Sequence, residues 1–136
     1  MSEDLYGHLR ERANTGWDRI MCPPAGSPER PMEPGSFEDL THKLLFGDVW
    51  QRPHLSVRER RLVTLTALAA RGHDECTVAQ VAAALRSGDL SPEDFEELII
   101  QMAFYLGWPP AMQFWLILGR QVAAAREAEA TPEPVS

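Results

Sequence analysis

The sequence predicts an all-α domain of about five or six helices, and three observations predict it. Apolar residues recur at helical spacing over several stretches, and no period-2 alternation of the kind a half-buried strand needs survives anywhere. Proline and glycine clusters stand where helices should end, and serine-led capping signatures stand where they should begin. At 136 residues the chain is long enough for one domain with a proper core and too short for two. Residues 1–127 read as that domain, 1–35 as an N-terminal helix and proline-rich linker and 36–127 as its core, with 128–136 as a disordered tail.

Leu5, Leu9, Trp17 and Ile20 fall at loosely helical spacing and predict a helix over Asp4–Ile20. The run Cys22-Pro23-Pro24-Ala25-Gly26-Ser27-Pro28 cannot be helix interior, because proline lacks the amide donor and clashes with the preceding turn. It opens a linker that continues to Gly35. Ser36 heads a helix to about Val49, with Asp39 placed to support the first turn. Pro53 breaks the chain, and Ser56 with Glu59 three residues on forms a capping-box signature for a helix to about Arg71. Leu62, Leu65, Thr66 and Ala69 share one face of it.

Gly72 ends that helix, and an alanine-rich one follows over about Glu75–Arg86. Ser91-Pro92-Glu93-Asp94 supplies an N-cap, a first-position proline and first-turn acids for a helix through Phe95, Leu98, Ile99, Met102 and Leu106. Gly107 and Pro109-Pro110 stop it, and one of those prolines opens a last helix to about Glu127.

A formal charge of −7 argues against nucleic acid or an anionic membrane as the main partner. Cys22 and Cys76 lie far apart, with no disulfide framework or redox-pair spacing, which suits a reducing compartment. The acidic start MSEDLYGHLR is unlike a signal peptide, and no run reaches the ~18 apolar residues of a spanning helix. The expected location is cytoplasmic. His8, His42, His54 and His73 are scattered without ligand spacing, so no metal is implied.

Three segments, FGDVWQRP, SVRERRLVTLTALAARG and EELIIQMAFYLGWPPA, occur in that order between Leu45 and Gly119. This stretch, rather more than half the chain, resembles the carboxymuconolactone decarboxylase family, small all-helical proteins of the alkylhydroperoxidase D-like superfamily. The resemblance implies cofactor-free chemistry on a small anionic substrate and assembly into homo-trimers or hexamers through helical faces. Phe104, Trp108, Phe114 and Trp115 offer large apolar surface for such assembly, or else fill the protomer core.

Peroxidase-type members of the superfamily carry a glutamate, a Cys-x-x-Cys pair and a downstream histidine as a proton relay. Laid on this chain without gaps, that pattern falls on Arg61, His73, Cys76 and Gln80. Only the second cysteine remains, so a dithiol peroxidase, which needs an attacking and a resolving thiol, is not expected. The decarboxylase branch keeps the histidine, which by the same spacing is Gln80. Glutamine hydrogen-bonds a carbonyl or carboxylate but shuttles no proton near neutral pH.

Decarboxylation of an unsaturated lactone acid needs a cation for the carboxylate, a donor for the developing oxyanion and an acid for the resulting carbon. Arg61 suits the first as a bidentate clamp, or is a solvated charge in a helix's first turn. Gln80 and Tyr105 are candidate oxyanion donors, although Gln80 also reads as a capping box with Thr77. His73 is the candidate acid, or only a neighbour of the helix end at Gly72; Cys76 is a catalytic thiol or a small buried hydrophobe. Glu97 matches a recurrent family glutamate and either orients a partner across the cleft or faces water. In the segment Tyr105-Leu106-Gly107-Trp108, Gly107 reads as a left-handed cap and Trp108 as a pocket wall for a bulkier or more aromatic ligand, or as oligomer packing. Two functions follow: a cofactor-free decarboxylase-like or lyase/cyclase enzyme acting on an unsaturated or aromatic-derived acid, or a non-catalytic helical oligomer that has lost the relay and binds a ligand or partner.

Overall fold

The computed structural model describes residues 4–29 and 31–130. Among these residues every regular element is helical, so the all-α class holds. The chain forms two compact units, Met1–Arg60 and Arg61–Ser136.

In the first unit a 3₁₀ turn at Gly7–Leu9 leads into α1, Arg10–Ile20. The helix therefore starts later than the apolar spacing predicts: Tyr6 sits in the left-handed region at φ 61°, which stops α1 from extending back to Asp4. Ala13, Gly16 and Ile20 form its buried face. The short α2, Phe37–Leu40, begins at the predicted Ser36 cap, whose hydroxyl accepts from the Asp39 amide at 3.2 Å. It does not run on as an α-helix to Val49. Residues Thr41–Phe46 wind as a π-helix that the Gly47 amide closes onto the His42 carbonyl, and a 3₁₀ turn covers Val49–Gln51. An amphipathic pattern does not distinguish these hydrogen-bond registers.

Close backbone approach explains Gly16. A Cβ there would lie 2.1 Å from the Phe46 carbonyl oxygen. Alanine's better helix propensity, about 1 kcal/mol, cannot offset such an overlap with backbone. The approach lets Gln51 donate to the Arg12 and Phe46 carbonyls, each at 2.6 Å. It also gathers Ile20, Phe46 and Trp50 into a small core, against which Trp17, Met21 and Val57 pack. Trp17 meets Phe46 edge-on at 5.1 Å between centroids.

The polar counterpart of this core is Lys43, whose ammonium is buried and donates to Asp4, to Asp39 at 2.7 Å and to the Leu5 carbonyl at 3.2 Å. Asp39 is also buried and accepts from the Gly35 amide at 2.9 Å. Burial alone would raise the Asp39 carboxyl, but the bonds from Lys43 and Gly35 outweigh it and hold it below the ordinary 3.8. Burial likewise opposes the Lys43 charge, and its two carboxylate partners overcome that and raise it above 10.5.

The second unit contains the larger core. Helix α3, Val57–Arg71, begins in the first unit at the predicted capping box, with the Ser56 amide donating to Glu59 at 2.9 Å and the Glu59 amide to the Ser56 hydroxyl at 3.0 Å. Then come α4, Asp74–Ser87; α5, Pro92–Leu106; and α6, Trp108–Ala130. The α5 start is the reciprocal Ser91–Asp94 capping box with Pro92 at the first position, as its sequence predicts. The tail prediction is met differently: residues 128–130 continue α6, and the remainder lies outside the described residues.

Leu65, Val81, Ala84, Phe95, Ile99, Met102, Phe114 and Ile117 belong to one buried cluster. Each large side chain of this kind contributes about 1.5–3 kcal/mol by leaving water. Ala83 and Ala84 on α4 are fully buried, their small size permitting close packing. Gly107 has φ 93° and ψ 161°, so it is not the predicted left-handed cap; positive φ with extended ψ turns the chain sharply between α5 and α6, in a region that only glycine readily enters.

Lys43→Met should cost up to about 3–5 kcal/mol in urea unfolding, because Asp39 would keep a buried charge with only the Arg10 guanidinium, 4.0 Å away, beside it. The pH dependence has two limbs. Asp39, lowered in the folded state, contributes stability above about pH 3.8 that disappears as pH falls through its folded value; Lys43, raised, contributes below about pH 10.5 and loses it as pH rises through its folded value. Wild type minus Lys43→Met stability should therefore be flat between those limits and shrink outside them.

Candidate active site

Arg61, in the first half of α3, is the largest fully buried side chain among the described residues. Its Nη1 donates to Gln80 Oε1 at 2.9 Å and its Nη2 to Asp89 Oδ2 at 2.8 Å. Asp89 also accepts from the Ser87 hydroxyl at 2.9 Å. The guanidinium thus ties α3 to the middle of α4 and to the turn that leaves α4. One of the two expectations for Arg61 is corrected. It is not a solvated charge: it is buried, with its fork engaged by Asp89 and Gln80.

The gap-free overlay that pairs Arg61 with Gln80 is met by direct contact between them. Their chemistry is nevertheless that of a closed ion-pair network, with no proton-shuttling imidazole or carboxylic acid. Gln80 does not form a capping box with Thr77: the N-cap of α4 is His73, and Thr77 donates its hydroxyl to the His73 carbonyl at 2.9 Å. Sequence reasoning missed Asp89 and Ser87, which lie in a short Ser-Gly-Asp turn and carry no signal until Arg61 is known to be buried.

The remaining predicted residues lie elsewhere on the second unit. His73 is exposed, and among the described residues its imidazole makes no hydrogen bond. Cys76 is an exposed free thiol in the first turn of α4, so the buried-hydrophobe reading fails. His73 and Gln80 share a helix face, but two turns separate them, about 10 Å along the axis. Glu97 faces water on α5. Tyr105 and Trp108 are 81% and 62% exposed, Trp108 meeting Phe104 edge-on at 6.3 Å. Phe114, by contrast, is core, so the four aromatics offered for assembly divide between interior and surface.

A cavity of about 330 Å³ opens where α3 ends and α4 begins, against α6. Ala69, Pro110, Phe114 and Ile117 are apolar residues of its lining, and Arg71, Asp74, Thr77 and Gln113 are its charged and polar ones. Gly72 also lines it, so His73 lies in sequence between two lining residues, Gly72 and Asp74. Among the described residues no three His, Cys, Asp or Glu side chains converge as metal ligands.

The second unit is thus a small all-helical scaffold with a cavity at the corner where α3 gives way to α4. The chain belongs to the carboxymuconolactone decarboxylase family, whose sequence profile matches residues 36–120. Over 73 residues it is 30% identical to the 4-carboxymuconolactone decarboxylase of Acinetobacter baylyi, a stretch that makes up 54% of this chain and 54% of that protein. The chain therefore spans about half the length of the curated relative it matches. No helix among the described residues is long and apolar enough to cross a membrane.

Arg61→Met should lower stability by about 3–5 kcal/mol, since Asp89 loses its buried cation. The double variant Arg61→Met/Asp89→Asn should recover part of that loss, and a denaturant-monitored double-mutant cycle reads the coupling directly.

Proposed function

We propose that the protein is a cofactor-free enzyme of decarboxylase or related lyase type, acting on a small unsaturated or aromatic-derived carboxylic acid. The observation that carries this reading is the free, exposed imidazole of His73 at the head of α4, flanked in sequence by two residues of the cavity. Family membership supplies the reaction class. In such a reaction the bond to the carboxylate carbon breaks, its electron pair enters the conjugated carbonyl system, and carbon dioxide leaves. His73 then delivers a proton to the carbanionic carbon, a step ordinary for an imidazole near neutral pH. The Arg61–Gln80–Asp89 network holds α3 and α4 in register beneath the site and takes no part in proton transfer. A cytoplasmic setting belongs to the same reading, supported by two cysteines far apart in sequence without redox-pair spacing and by the acidic composition.

The test is ultraviolet-monitored turnover of γ-carboxymuconolactone with carbon dioxide release as confirmation. Turnover is expected, with a 10²–10⁴-fold loss of kcat in His73→Ala. No turnover by folded protein, or an unchanged rate in the variant, overturns the reading.

A second reading, a non-catalytic oligomer, is favoured by Gln80, which is bound to Arg61 and is not among the residues that line the cavity. Self-association fits either reading. Trp108, Met112, Trp115 and Leu116 form one exposed stripe of α6, and Ile100 and Phe104 an exposed pair one turn apart on α5. Three of these six are large aromatic rings, each more than half exposed, and an apolar patch of this kind is a common mark of an interaction surface. Light scattering should give the mass of a homo-oligomer, a trimer or hexamer, and Trp115→Glu should reduce it to that of one chain.

A further inference from the structure

We propose that His42 is an acid-sensitive latch of the first unit: the closed structure has no acceptor for a proton on its Nδ1, so mild acid drives the imidazole out of its seat and loosens the hold of α1 on the π-helical turn. The latch lies wholly within the first unit and is independent of the chemistry assigned to the second.

From the turn at Thr41–Phe46 the ring reaches α1, where its Nε2 lies 3.1 Å from Asn14 Oδ1. An amide oxygen only accepts, so Nε2 carries the ring proton and Nδ1 keeps a bare lone pair. Nδ1 is closed off from solvent, and among the described residues it has no hydrogen-bond partner. Trp17, also on α1, flanks the ring at 5.5 Å between centroids. A neutral imidazole loses one hydrogen bond in this seat. An imidazolium would bury a charged N–H with nothing to receive it, which is far more costly.

A cavity of about 140 Å³ lies beside the ring, with Arg10, Asn14, Asp39 and Lys43 in its lining. Burial holds His42 below the ordinary 6.5; Asp39 and Glu38 of α2 and Asp18 of α1 favour the charged form without prevailing, and Arg10 of α1 opposes it. Asp39 is committed to Lys43 and to the Gly35 amide, and Lys43, on the same turn as His42, is committed to Asp39 and Asp4. The Gly7–Leu9 turn carries His8, and the Val49–Gln51 turn carries no charged side chain. Because the closed state binds the proton less readily than the open one, the stability that His42 contributes is complete above pH 6.5 and is lost as pH falls through its folded value. Asp4 and Asp39 are both held below 3.8 and stay ionised across that window, so they do not produce the transition. Uptake of one proton on opening limits the effect to about tenfold per pH unit.

Two NMR measurements on the full chain test the latch: titration of the His42 ring protons, and exchange of the Gly47 amide, which closes the π-helical turn on the His42 carbonyl at 3.0 Å. His42 should titrate below pH 6.5. The Gly47 opening constant, corrected for intrinsic exchange, should rise by up to about tenfold per pH unit as pH falls from 6.5 to about 5. His42→Gln keeps a donor for Asn14 and loses the titration, so its opening constant should stay within about twofold over the same range. Asn14→Asp, at an exposed position, gives the imidazolium a carboxylate partner; His42 should then titrate above pH 6.5 and the acid-dependent rise should vanish. A wild-type ring midpoint at or above 6.5, a Gly47 opening constant that does not change with pH, or an equally steep rise in His42→Gln each overturns the proposal. Should His42→Gln disturb the fold, Asn14→Asp decides alone, and failure of the ring midpoint to move upward there overturns it as well.

Discussion

The second unit depends on one buried guanidinium. Placing Arg61 in the interior is tolerable only because Asp89 and Gln80 meet it there, and because Ser87 holds Asp89 in turn. An isolated buried charge would cost several kcal/mol. With its partners it becomes a clamp that fixes the angle between α3 and α4 and closes the turn leading into α5. The position of the α4 N-terminus, and with it His73, Asp74 and the corner cavity, follows from that clamp.

The same clamp separates the inherited scaffold from its chemistry. Where the resembled relay would place a carboxylic acid and an imidazole, this chain has a permanent cation and an amide. Neither changes protonation near neutral pH. The buried network itself therefore offers no group for proton transfer. The middle of α4 is structural, with Gln80 committed to Arg61.

Local signals were legible in the sequence, and long-range partnerships were not. Ser56–Glu59 and Ser91–Asp94 were readable because a capping box is completed within four residues. The helix ends at Arg71 and Leu106 were readable from the glycines that follow them. Arg61 was misread because arginine is ordinarily a surface residue and its countercharge lies 28 positions on, in an unremarkable turn. Lys43 escaped notice for the same reason, one of its two carboxylates being 39 residues away. The π-helical turn at Thr41–Phe46 was invisible because an i→i+5 bond leaves the hydrophobic pattern almost unchanged. At the cavity, Asp74 and Gln113, 39 positions apart, come together only through the packing of α6 against α4.

The tryptophans divide between the units in a way that gives each unit its own optical signature. Trp50 is buried and Trp17 half-buried in the first, and both sit against Phe46; Trp108 and Trp115 are exposed in the second. An indole in an apolar pocket fluoresces to the blue and is shielded from dissolved quenchers, whereas one in water emits to the red and is readily quenched. The intrinsic emission of this chain is therefore a sum of two populations. A small neutral quencher such as acrylamide removes the light of the second unit first and leaves the first unit's emission as a blue-shifted remainder.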